Sequence, residues 1–135
     1  MLITRESEYA MRMIRALADN EIRSVRKICD DEQLPYKWAY KILKKMEHSN
    51  IVKSFYGVKG GYRLAKEISQ ITMLDILTIN ENNLRFNKGA NSLNNTKSAE
   101  CTISKELRRL ENVIRFELRE RTMDRVIGEI ELIDN

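Results

Sequence analysis

Few residues in this sequence could carry out covalent chemistry, and those that stand out are cationic or aromatic instead. The only histidine is His48 and the only cysteines are Cys29 and Cys101. No G-x-S-x-G, H-E-x-x-H or paired-carboxylate pattern occurs, so a nucleophile with its base is hard to assemble. A structural zinc site needs four Cys/His ligands at short spacings, and the chain does not supply them. Catalysis is therefore not expected. Charge is the stronger signal. Residues 36–66 hold eight Lys/Arg and one acid, Glu47, although the whole chain is only +4. Tyr36, Lys37, Trp38, Tyr40, Lys41, Lys44 and Lys45 open that segment. Near its end, YGVKGGYRL places three of the five glycines, Gly57, Gly60 and Gly61, among Tyr56, Lys59 and Arg63. A basic segment attracts polyanions, most commonly nucleic acid. Lysine can reach guanine O6 and N7, and aromatic rings pack on thymine methyls or sugars. Glycines allow a tight turn or a close backbone approach. GVKGG is neither a P-loop nor G-x-G-x-x-G, so nucleotide binding has little support. A solvated basic surface would have the same composition, so the elements that position these residues must decide.

Apolar residues at Tyr9, Ala10, Met13, Ile14, Leu17 and Ala18 define one face of a first helix, with Arg5, Arg12 and Arg15 off the stripe and Ser7 as its expected cap. Ser24 caps a short helix over about 25–31. Pro35 suits the first position of a third helix reaching Ser49, whose inner side is Ala39, Ile42, Leu43 and Met46. Asn50 is its expected C-terminal cap. Two helices across so short a break form a helix-turn-helix. Its second helix would point Tyr36, Lys37, Trp38, Tyr40 and Lys41 at base edges. For Trp38, packing between helices is an equally good reading. Residues 51–55 and 62–65 read as two strands around the glycine turn, a β-hairpin. A hairpin directly after a helix-turn-helix is a winged helix. In that wing Lys53, Tyr56, Lys59 and Arg63 would face nucleic acid, with Lys44, Lys45 and Lys53 suited to phosphates. Gly57, Gly60 and Gly61 would bring the backbone close, and Gly60-Gly61 would equally serve a hairpin that needs positive φ.

A helix follows over 71–79, capped by Thr72. Residues 80–100 hold seven asparagines and no periodicity, which reads as a flexible loop. From about Thr102 to Arg121, Ile103, Leu107, Leu110, Ile114 and Leu118 form a coiled-coil-like stripe. Its partner is the chain's own core or the same helix of a second chain, and the second is preferred. Thr122 caps a last helix through Met123, Val126 and Ile127. The expected division is residues 1–80 as a winged helix-turn-helix domain, 81–100 as a sensor-region loop and 101–135 as dimerisation and C-terminal helices. The fold class is mainly α with a small β-hairpin wing. At 135 residues, 42% apolar and 33% charged, the chain suits one helix-rich domain with an added interaction element. No run of about 18 apolar residues occurs, and the N-terminus does not read as a signal peptide. A cytoplasmic protein with two free thiols is expected.

These motifs together resemble the Rrf2 family of bacterial winged-helix regulators, with its IscR, NsrR and CymR types. YAMRMIRALA, VRKICDDEQLPYKWAYKILKKMEHSNIVKS and GVKGGYRLAKEISQITMLDIL carry the resemblance, and ERTMDRVI is similar to a segment near the family's C-terminus. The resemblance implies a homodimeric regulator, a repressor, on a palindromic operator in double-stranded DNA, with the 102–121 helix as the dimerisation helix. Many relatives ligate an iron–sulfur cluster through three cysteines before that helix. Here Cys101 stands at the last of those positions and the other two are absent. Some relatives add Glu and His from the first helix; Glu8 stands at the first position and Arg12 at the second. The expectation is no cofactor, with control by a small ligand or protein effector. A Cys101 thiol sensor ranks next, and an atypical cluster using Cys101 and Glu8 last. The competing functional class is a protein–protein interaction module without sequence-specific DNA binding.

Overall fold

The computed structural model describes residues 3–80 and 101–134. Along the chain these form α1 (Arg5–Ala16), α2 (Val25–Glu32), α3 (Tyr36–His48), β1 (Val52–Phe55), β2 (Gly61–Leu64), a 3₁₀ turn (Ile68–Gln70), α4 (Met73–Asn80), α5 (Thr102–Glu120) and α6 (Met123–Asp134). The architecture is mainly helical with one antiparallel hairpin, a winged helix followed by a long C-terminal helix. The expected 81–100 loop lies outside the described residues.

Local chemistry sets the helix ends. Thr4, not Ser7, caps α1: the Ser7 N–H donates to Thr4 Oγ1 at 3.3 Å. Ser7 itself is fully buried within the first turn, so it faces the core and cannot serve as the flanking cap. Ser24 caps α2, accepting from the Lys27 N–H at 3.2 Å. Pro35 falls one position before α3, with φ −63°. At the far end Asn50 adopts φ 59°. The Ile51 N–H donates to Met46 O at 2.9 Å and the Asn50 N–H to Glu47 O at 3.0 Å. This pair of bonds is a Schellman closure, and it turns the chain directly into β1. Thr72 and Asp75 cap α4 reciprocally, each backbone N–H donating to the other's side chain at 3.1 Å.

One core holds these elements. Met13 and Ile14 of α1 and Leu17 at its C-terminal cap meet Ile28 of α2, Ile42, Leu43 and Met46 of α3, and Ile51, Ile71 and Ile76, all essentially without solvent exposure. α6 returns to the same core through Met123 and Ile127. It is pinned there because the Met123 N–H donates to Ile71 O at 2.8 Å and the Met73 N–H to Arg121 O at 2.9 Å. A fork between Arg15 and Glu32, Nε–Oε1 2.9 Å and Nη2–Oε2 2.5 Å, ties α1 to α2.

The stripe on α5 divides. Leu118 is buried against Leu77, with Met11, Met73, Leu74 and Ile114 around them. Towards the other end, Ile103 is 69% exposed and Leu110 41%. Val113 and Phe116, off the stripe, are also exposed. Leu107 is half-buried.

Candidate nucleic-acid interface

α3 buries Ala39, Ile42, Leu43 and Met46, and this fixes which residues face out. Tyr36, Lys37, Tyr40, Lys41, Lys44 and His48 are exposed. Tyr36 and Tyr40 stand one turn apart with rings edge to face, centroids 5.8 Å apart at 87°. Their hydroxyls lie 3.4 Å apart, and this contact, with some burial, raises the Tyr36 phenol pKa. Trp38 points inward instead, packing against the core. Lys37 and Lys41 lie over its ring at 5.5 and 5.8 Å. The indole therefore fills the packing role and also orients two lysines, each such contact being worth about 0.5–1 kcal/mol at an exposed site.

The hairpin pairs Val52 with Leu64, Lys53 with Arg63, Ser54 with Tyr62 and Phe55 with Gly61. Lys53 and Arg63 are thus like charges directly opposed, an arrangement that costs stability. The Phe55 ring lies under both, 5.8 Å from Lys53 Nζ and 5.0 Å from Arg63 Cζ, and offsets part of that cost. At the tip, Tyr56 and Val58 are fully exposed, and Lys59 lies between them and the glycine pair. Ser54 Oγ donates to Glu47 Oε1 at 2.8 Å, linking the wing to the end of α3.

The glycine turn meets a backbone demand on both of its sides. Gly57 has φ +107° and open space around it. Gly61 has φ +152°, and a Cβ there would lie 2.2 Å from Arg23 O. Arg23 is the reason for that contact. Its backbone forms an isolated antiparallel bridge with Tyr62, with N–H···O distances of 2.9 and 2.8 Å. Its guanidinium grips Asp19 at 2.5 and 2.6 Å, and this bond holds the Asp19 carboxyl down at about 2.

Three participants were not legible as site residues in the sequence. Arg23 backs the wing from the α1–α2 connection. Phe55 carries the two wing cations. Glu6 of α1 reaches Lys41 Nζ and Lys45 Nζ, both at 3.2 Å, across 35 and 39 residues of sequence. Counting charge within residues 36–66 could not reveal it. Lys37, Lys44, Lys53, Lys59 and Arg63 have no carboxylate partner among the described residues. A cleft of about 550 Å³ opens beside Glu6, between Arg5, Tyr9, Trp38, Lys45 and Asn80.

The sensor candidates lie on other elements. Glu8 Oε1 pairs with Arg12 Nη2 at 3.3 Å on α1. Cys101 precedes α5, where the N–H groups of Ser104 and Ile103 lower its thiol pKa. Cys29 is buried, and burial pushes its thiol up. Among the described residues no three His, Cys, Asp or Glu side chains converge. One cysteine and a carboxylate already facing an arginine do not fit the donor set of an iron–sulfur cluster. None of the described helices is long and apolar enough to cross a membrane.

A helix-turn-helix with an exposed basic second helix and a protruding basic wing defines a nucleic-acid-binding class. Within that class the chain belongs to the Rrf2 family, described as iron-dependent transcriptional regulators, whose model matches residues 3–129. Members of this family are transcriptional regulators, not enzymes. The chain is 32% identical over 87 residues to slr0846 of Synechocystis sp., described as an HTH-type transcriptional regulator; the match takes in 62% of this chain and 59% of that one. It is 26% identical over 99 residues to the transcriptional regulator NsrR of Shouchella clausii, 71% of this chain and 66% of that one. It thus aligns with less than two thirds of either relative's length. In fold it is similar to T. potens IscR, TM-score 0.76 at 20% identity, with 98% of this chain and 90% of that chain covered. It is also similar to CymR of B. subtilis, TM-score 0.74 at 20% identity over 94% and 96%.

Proposed function

We propose that the protein is a sequence-specific DNA-binding repressor that acts as a homodimer on a palindromic operator. The observation that carries this reading is the outward face of α3, where Tyr36, Lys37, Tyr40, Lys41 and Lys44 stand clear of the core beside the cationic wing. α3 would enter the major groove, with Tyr40 and Lys41 on base edges and Lys44 on phosphate. The wing would lay Tyr56, Lys59 and the backbone at Gly57 and Gly60 along the sugar–phosphate strand. An anion between Lys53 and Arg63 would relieve the repulsion across the hairpin.

The exposed Ile103, Leu110, Val113 and Phe116 of α5 support pairing with a second chain. The two α3 helices would then sit about one helical turn, ~34 Å, apart. The signal is a small ligand or a protein partner, which the poor cluster donor set supports; oxidation of Cys101 is the next reading. Substitution tests the interface. Tyr40→Ala and Lys41→Ala relax sequence choice at individual base pairs, by about 1–3 kcal/mol of lost discrimination each. Lys53→Ala and Lys59→Ala weaken binding evenly across sequences. If neither pair changed DNA affinity, the competing reading, a protein–protein module built on the same surfaces, would take its place.

A further inference from the structure

The clamp between Glu6 and α3 suggests a role for α1 in selectivity. Glu6 Oε1 lies 3.2 Å from Lys41 Nζ and Oε2 lies 3.2 Å from Lys45 Nζ. One carboxylate thereby occupies both lysines that project from one edge of α3 at i and i+4. Its side chain is only 22% exposed, while that of Lys41 is 57% exposed. Burial raises the Glu6 carboxyl, but its bonds to Lys41 and Lys45 outweigh this and hold it below its ordinary value. Arg5 is the other charged group lining the cleft there.

We propose that Glu6 is a specificity-determining residue that withholds Lys41 and Lys45 from non-specific phosphate contacts. The proposal rests on the DNA-binding reading above and assigns part of its selectivity to α1. Any duplex must compete with Glu6 for these two lysines, and the carboxylate repels the phosphate that either would meet. A random duplex offers only phosphate in exchange. A matching site offers base edges to Lys41 as well, so it recovers what the exchange costs. Glu6 thus lowers non-specific affinity more than specific affinity.

The test compares wild type, Glu6→Gln and Glu8→Gln on two probes, a mixed-sequence 30-base-pair duplex and the duplex that wild type enriches from a randomised pool. Glu8→Gln changes net charge equally, in the same turn of α1, but releases Arg12 and no α3 lysine. Glu6→Gln is expected to tighten mixed-sequence binding about threefold to thirtyfold. It is expected to steepen the log–log salt slope by about 0.9 for each lysine released, and to narrow the gap between the probes. Glu8→Gln is expected to leave the slope unchanged. In a Lys41→Gln/Lys45→Gln background, Glu6→Gln should no longer steepen the salt slope, since no lysine remains to be released. The proposal is overturned if wild type binds DNA with a clear salt slope and Glu6→Gln matches it or matches Glu8→Gln. A wild-type chain that binds neither probe removes the DNA reading, and this proposal with it. Thermal unfolding of each variant separates loss of fold from loss of binding, and Glu6→Asp, which keeps the charge but shortens its reach, repeats the test should Glu6→Gln be unstable.

Discussion

Gly61 is fixed by the backbone around it. Its φ of +152° and the Arg23 carbonyl beside it leave no room for a methyl group. Gly61→Ala should cost about 1–3 kcal/mol in strain alone, read as a lower melting temperature together with loss of the Arg23–Tyr62 pairing by amide exchange. A neutral Gly61→Ala would contradict a close approach of the Arg23 backbone to Gly61. The glycine pair was visible in the sequence, but its neighbour was not, because Arg23 lies 38 positions away in the chain. Asp19 gives a pH test of the same corner. Its folded pKa of about 2 is below the ordinary 3.8, so its bond to Arg23 stabilises the fold above about pH 4. That contribution is lost as pH falls through 2. With half of the side chain exposed to solvent, Asp19→Asn should cost about 0.5–1 kcal/mol at pH 7 by urea unfolding. The difference should shrink from pH 4 downward, and a constant difference would remove the ion pair as its cause. Thr4 and Ser7 show where reading by residue type stops: both can cap a helix, and only the burial of Ser7 in the core decides between them.

Among the elements, α3 was the most legible, because its inner face has strict helical spacing and Asn50 marks its end. α5 was less so. Its stripe reads as one surface in sequence, yet α4 takes its C-terminal end and leaves the rest open. A stripe cannot say which partner covers which part of it. Two substitutions separate those parts. Leu118→Ala should destabilise the chain by about 2–4 kcal/mol, since it empties a buried contact with Leu77. Ile103→Glu should leave the stability of the single chain within about 0.5 kcal/mol and lower its self-association in sedimentation equilibrium. If Ile103→Glu left association unchanged, the exposed part of α5 would not be a dimer surface. α6 was expected as a short last helix through Met123, Val126 and Ile127. It runs to Asp134 and places Met123 and Ile127 in the main core, a long-range packing choice that its own spacing does not encode.

For the whole molecule, the asymmetry of charge survives folding but is redistributed. Glu6 comes from outside the basic segment to offset Lys41 and Lys45, while the wing keeps Lys53, Lys59 and Arg63 without carboxylate partners among the described residues. The net effect is a basic surface focused on the outer side of α3 and the wing. The winged helix that carries it was readable from sequence because residue type and order agreed: helix, turn, basic helix, glycine-tipped hairpin. The measurement that tests this most directly is the affinity of the intact protein for its pool-selected duplex and for a mixed-sequence duplex, each at 50 and 200 mM salt. Tighter binding to the selected duplex is expected, with both affinities falling steeply as salt rises, about 10³-fold or more if six or so phosphates are contacted. Equal affinity for the two duplexes, or binding that does not change with salt, would contradict it.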